Sequence, residues 1–176
     1  MTRGGLLCAA LVVLACAAPI RTELYQVDPP VTVRKIAVVP VEADPLLGAG
    51  IPSEAPDFAT QQLRDALKEQ SALRVVDADA DASLGGAIRR WSQREGTTSG
   101  VRRPASVWLV LELRDRSGRV IWSGVYEETQ PPLSDDLGSL PRAWERGFRW
   151  VTAEELCEYG LRELVADLAR EAAAWS

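Results

Sequence analysis

Val107-Trp108-Leu109-Val110-Leu111-Glu112-Leu113-Arg114, followed by Asp115-Arg116-Ser117-Gly118 and then Val120-Ile121-Trp122-Ser123-Gly124-Val125-Tyr126, is the stretch that decides the fold. Val107, Leu109, Leu111 and Leu113 alternate with Trp108, Val110, Glu112 and Arg114. That is the two-residue period of a strand with one face buried. Asp, Ser and Gly in the four-residue break read as a turn, so the second run returns as a hairpin partner. A hairpin with one leucine face belongs at the centre of a sheet and needs helices to cover that face.

Working outward, Lys35-Ile36-Ala37-Val38-Val39-Pro40-Val41 reads as a buried strand whose Pro40 lies near the sheet's rim. Glu42–Ser53, with two prolines and two glycines, reads as a loop. Ala59, Leu63, Ala66 and Leu67 recur at helical spacing over 56–70, with Pro56 suited to the first turn. Leu73–Val76 is a short strand and Asp77–Asp81 an acidic turn. Ser83–Trp91 is a third strand, in which Gly85-Gly86 predicts a bulge or a close backbone approach. Gln93–Arg103 reads as a long loop. Thr152-Ala153-Glu154-Glu155 is a capping box opening a helix whose apolar face is Leu156, Cys157, Gly160, Leu161, Leu164 and Leu168. The expected fold is α/β of the α+β kind: a mixed sheet of about five strands, order β-α-β-β-β-β-α, with helices on one face.

Composition fits one domain. The chain has 176 residues, 47% of them hydrophobic and 26% charged. It contains no histidine, which excludes histidine-based triads and histidine metal ligation. A net charge of −5 argues against nucleic acid as a partner. Acid pairs such as Asp79 with Asp81, or Asp135-Asp136, match no EF-hand loop and read as solvated turns. Ser123 lacks the nucleophile elbow. Cys157 reads as a buried, inert thiol beside Glu154, Glu155 and Glu158. No catalytic residue, cofactor or metal site is expected, and the chain reads as a non-enzyme. Arg89-Arg90-Trp91 and Arg102-Arg103 read as a solvated sheet rim, with anionic head groups or glycan as the functional alternative.

The amino terminus carries an address. Arg3 precedes the short apolar run Leu6–Ala15, which is a secretory leader rather than a membrane span. Val12-Val13-Leu14-Ala15-Cys16 resembles the bacterial lipobox. That resemblance implies cleavage before Cys16, fatty acylation of Cys16 and attachment to a membrane. Ala17, which is not aspartate, leans the expectation towards the outer membrane, periplasmic face. The ordinary-leader alternative cuts after Ala17 or Ala18. The expected organisation is leader 1–15, lipidated tether 16–33 and a single domain 34–176.

Four stretches resemble a group of bacterial envelope lipoproteins and their relatives. These are the strand Lys35–Val41, the helix Leu63–Leu67 followed by the strand Leu73–Asp77, Asp81-Ala82-Ser83-Leu84-Gly85-Gly86-Ala87-Ile88, and the hairpin Leu111–Ser123. The group comprises the curli secretion channel lipoprotein, the lipoprotein activators of penicillin-binding proteins and the amino-terminal domain of the Tol periplasmic protein. The likeness spans about residues 34–128. It implies a lipid-anchored, non-catalytic accessory module with a protein partner in the envelope. Auxiliary lipoproteins of lipid-transporting ABC systems are the second resemblance; an envelope enzyme is a third reading. Residues 129–151 read as a long loop in which Trp144, Arg146, Phe148, Arg149 and Trp150 are the candidate partner contacts, since aromatics and arginines dominate interface hot spots. Burial of that cluster as a satellite core is the alternative.

Overall fold

A computed structural model describes residues 20–24, 32–97, 100–130 and 151–173. Six strands form one mixed sheet: β1 (Ile20–Leu24), β2 (Lys35–Ala43), β3 (Arg74–Val75), β4 (Ala82–Ser92), β7 (Ser106–Asp115) and β8 (Val120–Thr129). Their spatial order is β1-β8-β7-β4-β2-β3. β2 runs parallel to β3 and β4, and all other pairings are antiparallel. β5 (Glu95–Thr97) and β6 (Gly100–Arg103) form a separate small hairpin. Helices α1 (Ala55–Gln70) and α2 (Ala153–Ala172) pack on one face of the sheet and against each other. Among the described residues, no helix is long and apolar enough to cross a membrane.

The alternation read in β7 holds to the residue. Val107, Leu109, Leu111 and Leu113 are buried beneath the helices, whereas Trp108, Val110 and Glu112 are partly exposed on the opposite face. α1 supplies Ala59, Leu63, Ala66 and Leu67 to the core, and α2 supplies the six residues of its predicted apolar face. The capping box is in place: Thr152 Oγ1 accepts from the Glu155 N–H at 3.2 Å, and Glu155 Oε2 accepts from the Thr152 N–H at 2.9 Å. Gly160 lets α2 lie directly on the sheet, because a Cβ there would stand 2.3 Å from the Tyr126 ring.

Several expectations need correction. Ile20–Leu24, within the stretch expected to be tether, adds an edge strand to β8. Ile20, Thr22 and Leu24 alternate with the charged Arg21 and Glu23, a period of two in a run of only five residues, and β8's free edge supplies the pairing. Gln93–Arg103 contains the β5–β6 hairpin rather than plain loop. Pro40 does not end its strand. Two β2 residues, Val39 and Pro40, oppose the single Gly85, a bulge that absorbs the missing N–H, and β2 continues to Ala43. The glycine pair therefore faces a bulge in β2 rather than bulging itself. The close approach predicted there is real: a Cβ on Gly86 would meet the Val110 carbonyl oxygen at 2.0 Å.

Beyond Ile36, no strand among the described residues pairs with the outer side of β2, because β3 pairs only with Lys35 and Ile36. α1 closes this edge with side chains. The Val41 N–H donates to Thr60 Oγ1 at 2.9 Å, and Arg64 donates to the Val38 carbonyl at 3.2 Å. An otherwise exposed ladder is thereby satisfied.

Candidate functional site: the open face of the sheet

Among the described residues, the helices lie on one side of the sheet, and none of them covers the other face of β2, β4 and β7. Its floor is low because β4 places Gly85 and Ala87 there, beside Val39 and Val110. A shallow depression of about 360 Å³ results, rimmed by Glu42, Arg89, Glu112 and Arg114. Glu112 and Arg114 pair with each other across this rim.

At one end of the depression the β4 register slips by one residue. Ile88 opposes Leu109, and Arg90, not Arg89, opposes Trp108. Arg89 is the extra residue of a bulge, so parity is reset. Arg89 and Arg90 therefore both reach Trp108, with guanidinium carbons 5.2 and 5.5 Å from its ring. Trp91 swings to the core side and meets Phe58 of α1 edge-on, centroids 6.2 Å apart. Arg89 Nε donates to Asp44 Oδ2 at 3.2 Å, and Arg90 donates to Glu127 Oε1 at 3.2 Å. Arg21 reaches the other Glu127 oxygen at 3.7 Å. Trp108 Nε1 has no hydrogen-bond partner among the described residues.

Asp44 joins this cluster to the loop that follows β2. Its Oδ1 accepts the Leu46 N–H at 2.9 Å and the Leu47 N–H at 3.0 Å. Those backbone donors, with Arg89, hold its carboxyl below the usual carboxylate range. The turn is thereby fixed from its first residue.

The arrangement offers two stacked cations on an indole, small-residue floor beside them, and mixed charge around the rim. These are means of binding a planar or anionic group or a protein surface. Among the described residues, no group of three or more acids and cysteines lies close enough together to hold a metal. Cys157 is fully buried, and burial first, then Glu154 and Glu158, pushes its thiol far above the usual range. The thiolate needed for nucleophilic chemistry is disfavoured there.

Of the residues singled out from sequence, Cys16 lies outside the described residues, as do Trp144, Arg146, Phe148, Arg149 and Trp150. The two ends of the 131–150 stretch are tied together, since the Val151 N–H donates to Gln130 Oε1 at 2.9 Å. The Arg89–Arg90 cluster was visible as composition, but its aromatic partner is Trp108, not the adjacent Trp91. The signal was a parity break: Leu84 and Ile88 face the core, and so does Trp91, three positions on.

No family model matches the chain, and no curated protein matches its sequence. Solved structures do match. The PelC dodecamer from Paraburkholderia phytofirmans is similar over 85% of this chain and 96% of its own, at 18% identity and a TM-score of 0.57. The likeness is one of fold. A DUF330 protein from Xanthomonas campestris aligns at 16% identity and a TM-score of 0.48, over 84% of this chain and 87% of its own. A minor lipoprotein from Acinetobacter baumannii aligns at 13% identity and a TM-score of 0.33, over 82% and 94%. None of these likenesses identifies the curli, penicillin-binding-protein activator or Tol group that the sequence motifs resemble.

Proposed function

We propose that the protein is a lipid-anchored, non-catalytic accessory module of a bacterial envelope assembly or transport machine, fixed through Cys16 to the periplasmic face of the outer membrane. The observation that carries this reading is the position of β1. The strand begins at Ile20, four residues after Cys16. At roughly 3.5 Å per extended residue, the domain sits within about 14 Å of an acyl group on Cys16. The protein is thus held against its membrane, as a module that works on a membrane-embedded machine requires.

Two features support binding over other roles. The open face carries the Arg89–Trp108–Arg90 stack, and the PelC structure that shares the fold is an assembly of many copies. A protein partner, a second copy of this chain included, fits such a surface. The lipid-transport auxiliary reading needs a continuous apolar groove between sheet and helices. That layer is filled here: Leu84, Leu111, Leu113, Leu161 and Leu164 are each no more than 1% exposed. A further depression of about 440 Å³ lies at the opposite end of the sheet, between the start of β2, β3 and the end of α2, lined by Val33, Lys35, Leu73 and Ala169.

Trp144, Arg146, Phe148, Arg149 and Trp150 remain the proposed partner contact. The test is affinity purification from a detergent extract, wild type beside Trp144→Ala/Trp150→Ala, with a thermal melt of each. Loss of a co-purifying envelope protein at unchanged melting temperature supports docking. A large fall in melting temperature, reflecting a stability loss of several kcal/mol since each buried aromatic removed costs about 3–5 kcal/mol, overturns it. Cys16→Ser run in parallel tests the anchor: a wild-type chain without acyl mass at Cys16 sinks that part of the reading.

A further inference from the structure

The geometry points to the turn Asp44–Gly48 as a membrane-contacting element that places Leu46 and Leu47 in the bilayer interface. Among the described residues, the large hydrophobic side chains left exposed are Val39, Leu46 and Leu47. Leu46 is 88% exposed and Leu47 52%. Single exposed apolar residues are ordinary; an adjacent pair on a built turn is not. This turn is built. Asp44 Oδ1 accepts both leucine N–H groups, and the Gly48 N–H donates to the Asp44 carbonyl at 2.8 Å. The leucines are therefore held outwards rather than left to fold back onto the core.

The occupant follows from where the chain leads. Ala43 opposes Ile88, Ile88 opposes Leu109, Leu109 opposes Tyr126 and Tyr126 opposes Ile20. These five residues form one row across the sheet. β2 leaves that row into the turn at Asp44, and β1, antiparallel to β8, begins in it at Ile20, four residues after Cys16 in the sequence. The end of β2 and the start of β1 are four strand spacings apart, about 19 Å. The inference rests on the lipid-anchor reading: an acyl chain on Cys16 then inserts within about 14 Å of Ile20, on the side of the domain that displays the leucines. A bilayer meeting one meets the other. Glu42 and Glu127 lie at this end with Arg21 and Arg90, so the field is mixed and the contact is apolar insertion rather than charge attraction. A second weak attachment beside a lipid also fixes the orientation of the domain, which one flexible link does not.

The test uses the chain produced with its own leader in a Gram-negative host, purified in detergent and reconstituted into phosphatidylethanolamine–phosphatidylglycerol vesicles. Leu46→Cys carries an environment-sensitive dye, and Ser117→Cys, at the far end of the sheet, is the control. Cys157 is buried and stays unlabelled. The expected result is a blue-shifted emission at position 46 and quenching by acyl-chain nitroxides several-fold stronger than at position 117. Equal quenching at the two positions overturns the inference. So does a label shielded from aqueous iodide yet untouched by lipid nitroxides, which means that protein covers the turn. The mass of the purified chain reads the anchor separately. Acylated Cys16 with an unquenched turn refutes this inference alone, and an unmodified Cys16 refutes the reading beneath it.

Discussion

The two faces of β7 are made by alternate residues of one ten-residue strand, yet they obey different rules. Leu109, Leu111 and Leu113 meet helices and are at most 1% exposed. Trp108, Val110 and Glu112 meet no helix among the described residues; on the β4 side their neighbours are two arginines, an alanine and a glycine, and on the β8 side Glu127, Val125 and Ser123. On the covered face, volume is fixed by close packing, so register and side-chain size are constrained together. Two of the sheet's irregularities lie beside the open face, at Val39–Pro40 and at Arg89; a third, at the buried Ile121 of β8, lies next to the hairpin turn at the sheet's end. The covered side carries the stability, and the open side is free to carry recognition.

Substitution on each face tests this division. Leu111→Ala removes a fully buried side chain and is expected to lower unfolding free energy by about 2–5 kcal/mol. Arg90→Ala, on the open face, gives up one ion pair and one cation–π contact, worth below about 1 kcal/mol together. Urea titrations of both variants decide it; equal losses erase the distinction between the faces.

A smaller effect sharpens it. Gly160→Ala adds one methyl to the covered side. Alanine improves helix propensity by about 1 kcal/mol. The new Cβ, however, meets ring carbons of Tyr126 at 2.3 Å, and that ring is fully buried with its hydroxyl bonded to Glu128. Overpacking of about 1–3 kcal/mol therefore outweighs the propensity gain, and the melting temperature falls. An unchanged or raised melting temperature shows that Tyr126 has room to withdraw.

The finest effect is in the hairpin turn joining the strand with these two faces to its partner. Asp115 accepts from the Ser117 hydroxyl, from the N–H groups of Ser117 and Arg119, and from the Arg119 guanidinium. These bonds, the Ser117 hydroxyl first, bring its pKa down to about 2 from the usual 3.8. A depressed carboxylate stabilises the fold fully above its unfolded value and ceases to as pH falls through its folded value. Stability is thus expected to decline between about pH 4 and pH 2. Asp115→Asn should flatten that part of the profile in acid titrations followed by circular dichroism. A wild-type slope unchanged by the substitution removes the assignment.

The β7–β8 hairpin, both helices and the capping box at Thr152 were legible because each is a local pattern: period two, period three to four, and a four-residue cap. The closely approached glycines were legible in kind. β1 was not read: Ile20, Thr22 and Leu24 alternate with Arg21 and Glu23, but the run is only five residues long and lies among prolines, and β8's free edge is what makes it a strand. The site was legible only as composition. Arg89, Arg90 and an aromatic could be named, but which tryptophan they meet depends on one slipped residue in β4. That slip is decided by cross-strand pairing with β7. Leu46 and Leu47 read as ordinary loop residues, because exposure belongs to the packed molecule and not to the chain.

By itself, the sequence determined β2, β4, β7, β8, the two described helices and the buried face of each, and the absence of histidine chemistry, since these follow from side-chain type and spacing. The leader and lipobox readings also come from the sequence alone, as expectations that need no fold. Only the tertiary structure decided the strand order β1-β8-β7-β4-β2-β3, the two bulges, and the single row that puts Ile20 and the Leu46 turn at one end of the sheet. The physical reason is that pairing between distant segments is chosen by competition among edges and faces. The outcome depends on all the strands at once, and no single stretch of sequence contains it.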